Sequence, residues 1–200
     1  ICIMRKAYKY KLKPNENQKI FFEKSFGCTR FVYNWALSKR IEAYQREKKH
    51  LSCVDLCKML TIFKKEEDKL WLNEVSSQCL QQSIRNMDNA FIRFFQEKKG
   101  FPKFKSKKDN WKSYKVINGV KVDFGSNKIQ LPKIGWVSFY KNRTFEGKIG
   151  TVTVTKTATG KYYVSVLVDD GKELPKKPDI KYDTTVGIDV GIKDFAVLSN

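Results

Sequence analysis

Two hundred residues, 41% hydrophobic and 14% aromatic, can bury a sizeable core in one large domain or two small ones, which excludes a disordered chain. Forty Lys and Arg against 21 Asp and Glu leave a formal net charge of +19, more than solubility requires, so the expected partner is a polyanion. No apolar run approaches the length of a bilayer span and the basic residues are interleaved with aromatics, which favours nucleic acid over an anionic membrane surface.

From 4 to 12 the chain alternates, with Ala7, Tyr8, Tyr10 and Leu12 among Arg5, Lys6, Lys9 and Lys11, and the pattern predicts a basic strand. Pro14 ends it. Residues 15–18 read as a capping box, with Asn15 at the N-cap and Gln18 three residues on. Apolar residues at helical spacing run through Ile20, Phe21 and Phe26, break near Gly27, and resume through Phe31, Val32, Trp35, Ala36, Ile41 and Tyr44. That pattern predicts a long helical hairpin. After a lysine-rich connection over 45–50, Ser52 is placed to cap a helix over 54–63. A third helix over 77–95 carries Leu80, Ile84, Met87, Phe91 and Phe94 at offsets of 4, 3, 4 and 3, a single stripe for core packing. Its opposite face carries Gln78, Gln81, Gln82, Arg85, Asn86 and Asn89, which is either a solvated surface or a set of groups that read base edges.

The most basic tract follows, over 93–115, where nine Lys or Arg face only Glu97 and Asp109. Arg93, Lys98, Lys99, Lys103, Lys105, Lys107 and Lys108 are suited to neutralising phosphates, while Phe101, Phe104, Trp111 and Tyr114 offer stacking faces. After Asn118-Gly119 the period shortens to two. Strands are predicted over 120–124, 128–131, 136–140, 150–156 and 162–168, with a tight Thr159-Gly160 turn between the last two. Five short antiparallel strands plus the opening basic strand suffice for a small barrel of oligonucleotide-binding type. The stretch 169–183, with Pro175 and Pro178, reads as a linker.

The last stretch, 186–200, delivers Asp189 at the centre of an apolar run, with Gly191 two residues on and a second apolar run from Phe195. It predicts a hairpin carrying an acid on a buried strand, with Ile188 and Val190 facing the sheet. An unpaired buried carboxylate is costly, so Asp189 caps a turn, pairs with a cation or holds a metal. The alternatives are a turn-capping Asp, the phosphate hairpin of actin-like ATPases, and the first strand of a ribonuclease-H-like nuclease. The ATPase hairpin favours Thr and Ser where Ile192, Lys193 and Asp194 stand here, and it opens its protein rather than following a long basic preface.

The five cysteines are odd in number and scattered, which fits a reduced interior and a cytoplasmic protein. His50, Cys53 and Cys57 form an H-x2-C-x3-C cluster, but a structural zinc site wants four ligands and no second pair exists. The simpler reading is two helical cysteines facing a core. Met4 is the first plausible start, and both ends read as those of a fragment.

At several points in order the chain resembles the N-terminal half of the TnpB (OrfB) family, the insertion-sequence family ancestral to type V CRISPR effectors. The matching stretches are 7–14 (A-Y-K-Y-K-L-K-P), Arg30-Phe31-Val32-Tyr33-Asn34, Gly100-Phe101-Pro102-Lys103-Phe104-Lys105, Leu131-Pro132-Lys133-Ile134-Gly135-Trp136, and 187–196 around Asp189. The resemblance implies an α+β protein: a β-barrel wedge domain, oligonucleotide-binding-like, with a helical insert, followed by the first strands of a ribonuclease-H-like RuvC domain. Boundaries follow at 1–14 for the first wedge strand, 15–97 for the helical recognition insert, 98–174 for the barrel, 175–183 for the linker and 184–200 for the start of RuvC.

It also implies an RNA-guided, Mg2+-dependent DNA endonuclease in a prokaryotic cytoplasm, associated with the nucleoid, with guide RNA and double-stranded target DNA as partners. By that likeness Asp189 is the first RuvC carboxylate and metal ligand. Gln81, Ser113, Tyr114 and Asn118 are candidates for reading the short motif that flanks the target, and guide RNA contacts the basic faces of barrel and insert. The family's later carboxylates and its zinc ribbon have no counterpart in these 200 residues, so this polypeptide alone is expected neither to cleave nor to bind zinc. A non-cleaving nucleic-acid-binding regulator is the alternative reading.

Overall fold

A computed structural model describes residues 3–109, 112–173, 185–192 and 195–199 of the chain. Trp111, the expected linker over 175–183, and Lys193 and Asp194 lie outside the described residues. β1 (Ile3–Lys13) follows its alternation: Tyr10 and Leu12 are buried, and Lys9, Lys11 and Lys13 are exposed. α1 (Glu16–Glu47) starts at the expected capping box, where Asn15 Oδ1 accepts from Gln18 N–H at 2.9 Å and the Gln18 side chain accepts from Asn15 N–H at 3.0 Å.

The predicted helical hairpin is instead one helix of 32 residues that runs straight through Gly27. A glycine costs a helix interior about 1 kcal/mol relative to alanine. Here the buried Ser25, Phe26, Cys28 and Thr29 on either side outweigh it. α2 (Cys53–Phe63) is capped by Ser52, whose Oγ accepts from Asp55 N–H at 3.1 Å. A 3-10 segment over Glu67–Glu74 then leads into α3 (Ser77–Gln96), on which Leu80, Ile84, Met87 and Phe91 are buried as one stripe.

The remaining strands are β2 (Lys112–Val116), β3 (Lys121–Asp123), β4 (Lys128–Leu131), β5 (Gly135–Tyr140), β6 (Lys148–Lys156) and β7 (Tyr162–Glu173). Together with β1 they form one seven-stranded sheet in the order β2-β6-β7-β1-β5-β4-β3, antiparallel throughout. The three helices therefore leave the chain between β1 and β2 and return it to the same sheet. The expected barrel does not close, because β2 and β3 are free edges of the order. The inner face of edge strand β2 is covered by α1 instead, with Tyr114 against Phe22 and Phe26 at ring-centroid distances of 6.3 and 5.6 Å. The predicted turn between β6 and β7 is present, with Gly160 at φ +77° and Thr157 N–H donating to Lys161 O at 2.9 Å.

The apolar face of the sheet has two kinds of cover. At the β2-β6-β7 end it packs against α1 and α3. At the β3-β4-β5 end an aromatic cluster covers it, with Tyr10 4.9 Å from Phe139 and Phe124 5.0 Å from Phe145. Glu23 of α1 ties the helix to three strands, accepting from Lys156 Nζ at 2.6 Å, Lys112 Nζ at 3.3 Å and the Tyr162 hydroxyl at 3.1 Å. The C-terminal hairpin, β8 (Ile188–Asp189) with β9 (Val197–Leu198), forms a separate two-stranded sheet.

Candidate nucleic-acid interface

The basic tract starts where α3 runs out. Lys98 turns left-handed at φ +51°, and Lys99 N–H donates back to Arg93 O. Phe101 then sets its ring edge-on to Phe91 and Phe94, 5.4 Å from each, and Pro102 is buried. Phe101 thus anchors the tract to the end of α3 as well as offering an exposed face. Beyond the anchor, Lys103, Phe104, Lys107 and Lys108 are all exposed.

Lys105 is held by a long-range clasp. The Asn34 side chain of α1 donates to Lys105 O at 2.9 Å and accepts from Lys105 N–H at 2.8 Å, so an amide on a helix takes both backbone groups of one tract residue. The Lys105 ammonium lies 4.2 Å from the centroid of the Tyr33 ring, a cation–π contact. The residue as a whole is exposed, but desolvation of its ammonium lowers the pKa, and nearby Asp109 works in the opposite direction. Ser106 N–H donates to Asp109 Oδ2 at 3.0 Å and Lys108 N–H to Ser106 Oγ at 3.1 Å, which closes the next turn. A lysine loop so fixed presents its charges without a large ordering cost.

The four flanking-motif candidates are distributed over two places. Gln81 on α3, Ser113 on β2 and Asn118 just beyond β2 are exposed. Tyr114 is a core residue: it is buried between Phe22 and Phe26, and burial pushes its phenol well above the usual value, so it offers no stacking face or base contact in this arrangement. Gln78, on the same polar helix face, accepts from Ile117 N–H at 3.1 Å and Asn118 N–H at 2.9 Å. It is a strut that holds Asn118 beside the start of α3, one turn from Gln81. Ser113 instead adjoins Arg30 and Lys105.

One cationic surface was not legible from composition. Lys11 lies directly opposite Tyr140 of β5 and Tyr163 of β7, with its ammonium 5.3 Å from the Tyr140 ring centroid, and Lys9 sits 4.7 Å from that of Tyr163. Tyr140 and Trp136, two outward positions apart on β5, are exposed. The alternation of β1 signals that its lysines point outward, but only the strand order brings the tyrosines beside them. The result is an aromatic and basic sheet face of the kind on which bases stack.

Asp189 sits on β8 opposite Val197, in a hairpin closed by Ser199 N–H donating to Gly187 O at 2.8 Å. The expected burial is not found: Asp189 is exposed, and Ile188 and Val190 are 65% and 69% exposed. Among the described residues no group of three or more His, Cys, Asp or Glu side chains is placed to hold a metal ion. A single exposed carboxylate does not fit a two-metal Mg2+ centre, so no hydrolytic step is assigned to these residues. In the H-x2-C-x3-C cluster, burial and neighbouring Cys53 push the Cys57 thiol up to about 11.

A family model described as a helix-turn-helix domain of the OrfB/IS605 group matches residues 4–49. In this chain that segment is β1 followed by the single helix α1. A protein of Escherichia coli (strain K12) named "Putative RNA-guided DNA endonuclease InsQ" is 31% identical over 194 residues, covering 97% of this chain and 47% of that protein. A Streptomyces pristinaespiralis protein named "Putative RNA-guided DNA endonuclease" is 31% identical over 199 residues, covering 98% of this chain and 48% of the relative. The chain thus spans about half the length of these two relatives. "Virulence protein VsdF" of Salmonella dublin is 34% identical over 113 residues, which are 52% of this chain and 95% of that protein. No described helix is long and apolar enough to cross a membrane. With similarity running almost end to end and the OrfB model falling on β1 and α1, the chain belongs to the TnpB (OrfB) family of IS605-type insertion-sequence proteins.

Proposed function

We propose that this chain is the nucleic-acid-binding half of a transposon-associated, RNA-guided DNA endonuclease. The observation that carries the reading is the clasp of Asn34 on Lys105, which turns a run of lysines into a fixed cationic surface on α1. In this reading the helices over 15–97 form the recognition insert of a wedge domain built from the sheet. Guide RNA lies on the outer sheet face, over Lys9, Lys11, Tyr140, Tyr163 and Trp136. Double-stranded target DNA runs along Arg93, Lys98, Lys99, Lys103, Phe104, Lys105, Lys107 and Lys108, and Gln81, Ser113 and Asn118 lie at the duplex motif flanking the target. Asp189 is the first carboxylate of a RuvC-type site that other segments of the whole protein complete, and Mg2+ belongs to that completed site.

Binding of the purified chain to labelled structured RNA and duplex DNA, over a salt series with Mg2+ present and products followed, tests this. Tight, salt-sensitive binding without cleavage is expected. Replacing Lys103, Lys105, Lys107 and Lys108 by Gln weakens DNA binding and lowers the slope of log K against log salt by about 0.9 for each phosphate no longer neutralised. Asp189→Asn leaves affinity unchanged. A lysine variant that binds like the parent sinks the reading.

A second reading, a non-cleaving DNA- or RNA-binding regulator, is favoured by one observation: the segment shared with the Salmonella relative makes up 95% of that protein. Nuclease activity of the whole protein that is lost in Asp189→Asn would rule it out.

A further inference from the structure

Two stretches far apart in the chain, Arg30-Phe31-Val32-Tyr33-Asn34 and Lys103-Phe104-Lys105, converge on one cavity. Asn34 and Lys105, joined by the clasp, are 71 positions apart. The cavity has a volume of about 280 Å3 and lies between α1, the tract and the start of β2, lined by Arg30, Lys105, Lys112, Ser106, Ser113 and Asp109 among others. Arg30, Lys105 and Lys112 line it with a single carboxylate, Asp109, which already accepts from Ser106 N–H. Among the described residues Arg30 and Lys105 form no ion pair, whereas Lys112 shares Glu23 with Lys156. An Arg fork and a lysine ammonium that line one cavity with two serines suit a tetrahedral oxyanion.

Each part of the arrangement has a separate cause. Arg30 stands one helical turn before Asn34 on α1, so the clasp that fixes Lys105 also fixes its distance from Arg30. The buried Tyr33 ring gives the Lys105 ammonium a cation–π contact that uses none of its hydrogen-bond donors. Lys103, Lys107 and Lys108, the exposed lysines of the tract, lie within three residues of the Lys105 and Ser106 that line the cavity, so an anion seated in it has the rest of the tract for near neighbours in the chain.

Resting on the nucleic-acid reading above, we propose that Arg30 and Lys105, the latter positioned by Asn34, form a socket for a single backbone phosphate of the bound nucleic acid. Asn34 is a positioning residue and touches no ligand.

The test compares the parent chain with Arg30→Gln, Lys105→Gln, the double variant and Asn34→Ala in two arms, with circular dichroism confirming the fold of each. In the first arm, duplex DNA binding is measured over a salt series. Each single Gln variant is expected to bind about tenfold more weakly at low salt, as for removal of one charge-assisted hydrogen bond, with a salt slope close to the parent's, because the other cation still holds the phosphate. The double variant lowers the slope by about 0.9, because the one phosphate that both side chains hold is then no longer neutralised. Asn34→Ala, which leaves every charge in place, also weakens binding. In the second arm, inorganic phosphate is titrated against the amide resonances of Lys105 and Ser106. Saturable shifts in the parent that vanish in Arg30→Gln are expected.

Normal DNA binding in both single Gln variants, with a parental slope in the double variant, overturns the socket and leaves the nucleic-acid reading standing. A slope that falls by about 0.9 in each single variant and by about 1.8 in the double also overturns it, since two phosphates are then held. Saturable phosphate shifts in a chain that binds no nucleic acid keep the anion socket, reject its assignment to a nucleic-acid backbone, and reject the wider reading. Absence of both overturns both.

Discussion

β7 and the Asp189 hairpin are written in the same alphabet, short runs of Val, Ile and Leu with polar residues between them, and they end in opposite environments. Along β7, Tyr162, Val164, Val166 and Val168 are buried in strict alternation, because α1 and the neighbouring strands cover that face. In the hairpin, Ile188, Val190, Val197 and Leu198 are all exposed, and Phe195 is 90% exposed. Strand-forming residues make a ladder wherever the backbone pairs, but burial needs a second layer, and a lone two-stranded hairpin supplies none. The chemistry of the two regions divides in the same way. Cations that need fixed positions, such as Lys105, are built on the covered body, while the carboxylate is carried by the uncovered hairpin.

Two phenylalanines put this contrast to its hardest test. Phe22 is fully buried, with Tyr162 5.5 Å and Tyr114 6.3 Å from its ring. Phe22→Ala is expected to destabilise the chain by about 3–5 kcal/mol in denaturant unfolding, the usual cost of emptying a core aromatic site. Phe195→Ala, an equal truncation on the hairpin, is expected to change stability by less than about 0.5 kcal/mol. A loss above about 1 kcal/mol for Phe195→Ala would show that the hairpin is packed in solution, and the contrast would fall.

At the edge of the same core, Glu23 offers a smaller and pH-dependent effect. Burial pushes its carboxyl up, but hydrogen bonds from Lys156 and Lys112 and their charges outweigh that, and its pKa lies below the ordinary 4.5. The Lys156 ammonium is raised above the ordinary 10.5, chiefly by its hydrogen bond to Glu23. A lowered carboxylate contributes stability above pH 4.5 that is lost as the pH falls through its folded value. The raised ammonium contributes below pH 10.5, and its share is lost as the pH rises through the folded value. Glu23→Gln is expected to cost about 1 kcal/mol at neutral pH, at the low end because the group is partly solvated. Melting temperatures of parent and variant should converge as acid protonates Glu23. A gap that persists unchanged at low pH would mean that packing, not charge, accounts for the loss.

Local signals were legible and long-range ones were not, and these residues show why. The caps at Asn15 and Ser52 depend on groups three residues apart, and both are present; Asn15→Ala is expected to cost about 1 kcal/mol, read from the same unfolding curves. The break at Gly27 was a local expectation overruled by packing that only the fold supplies. In sequence Tyr114 reads as a stacking face because the basic tract hides a strand; two-residue alternation with Val116, also buried, marks the face that turns inward. The Asn34 clasp and the outer tyrosines depend on which segments meet, and no spacing in the chain encodes that. Asp189 shows the same limit, since its motif predicted a hairpin correctly but not the layer that would bury it.

The smallest expected effect lies at Asp189 itself. On a buried strand, exchanging an ionised carboxylate for an amide would change folding by several kcal/mol through desolvation and the removal of its partners. On an exposed strand, water solvates either group, and Asp189→Asn is expected to shift stability by no more than about 0.5 kcal/mol. Unfolding of parent and variant at neutral pH distinguishes the two cases. A near-zero difference means that the fold makes no energetic use of this acid, so a role for Asp189 must be sought in what it binds. A large destabilisation would assign it a structural partner within the chain and remove it from the candidate catalytic residues. A comparable gain in stability would mean that the carboxylate is held under strain, the usual cost of keeping a functional acid in place.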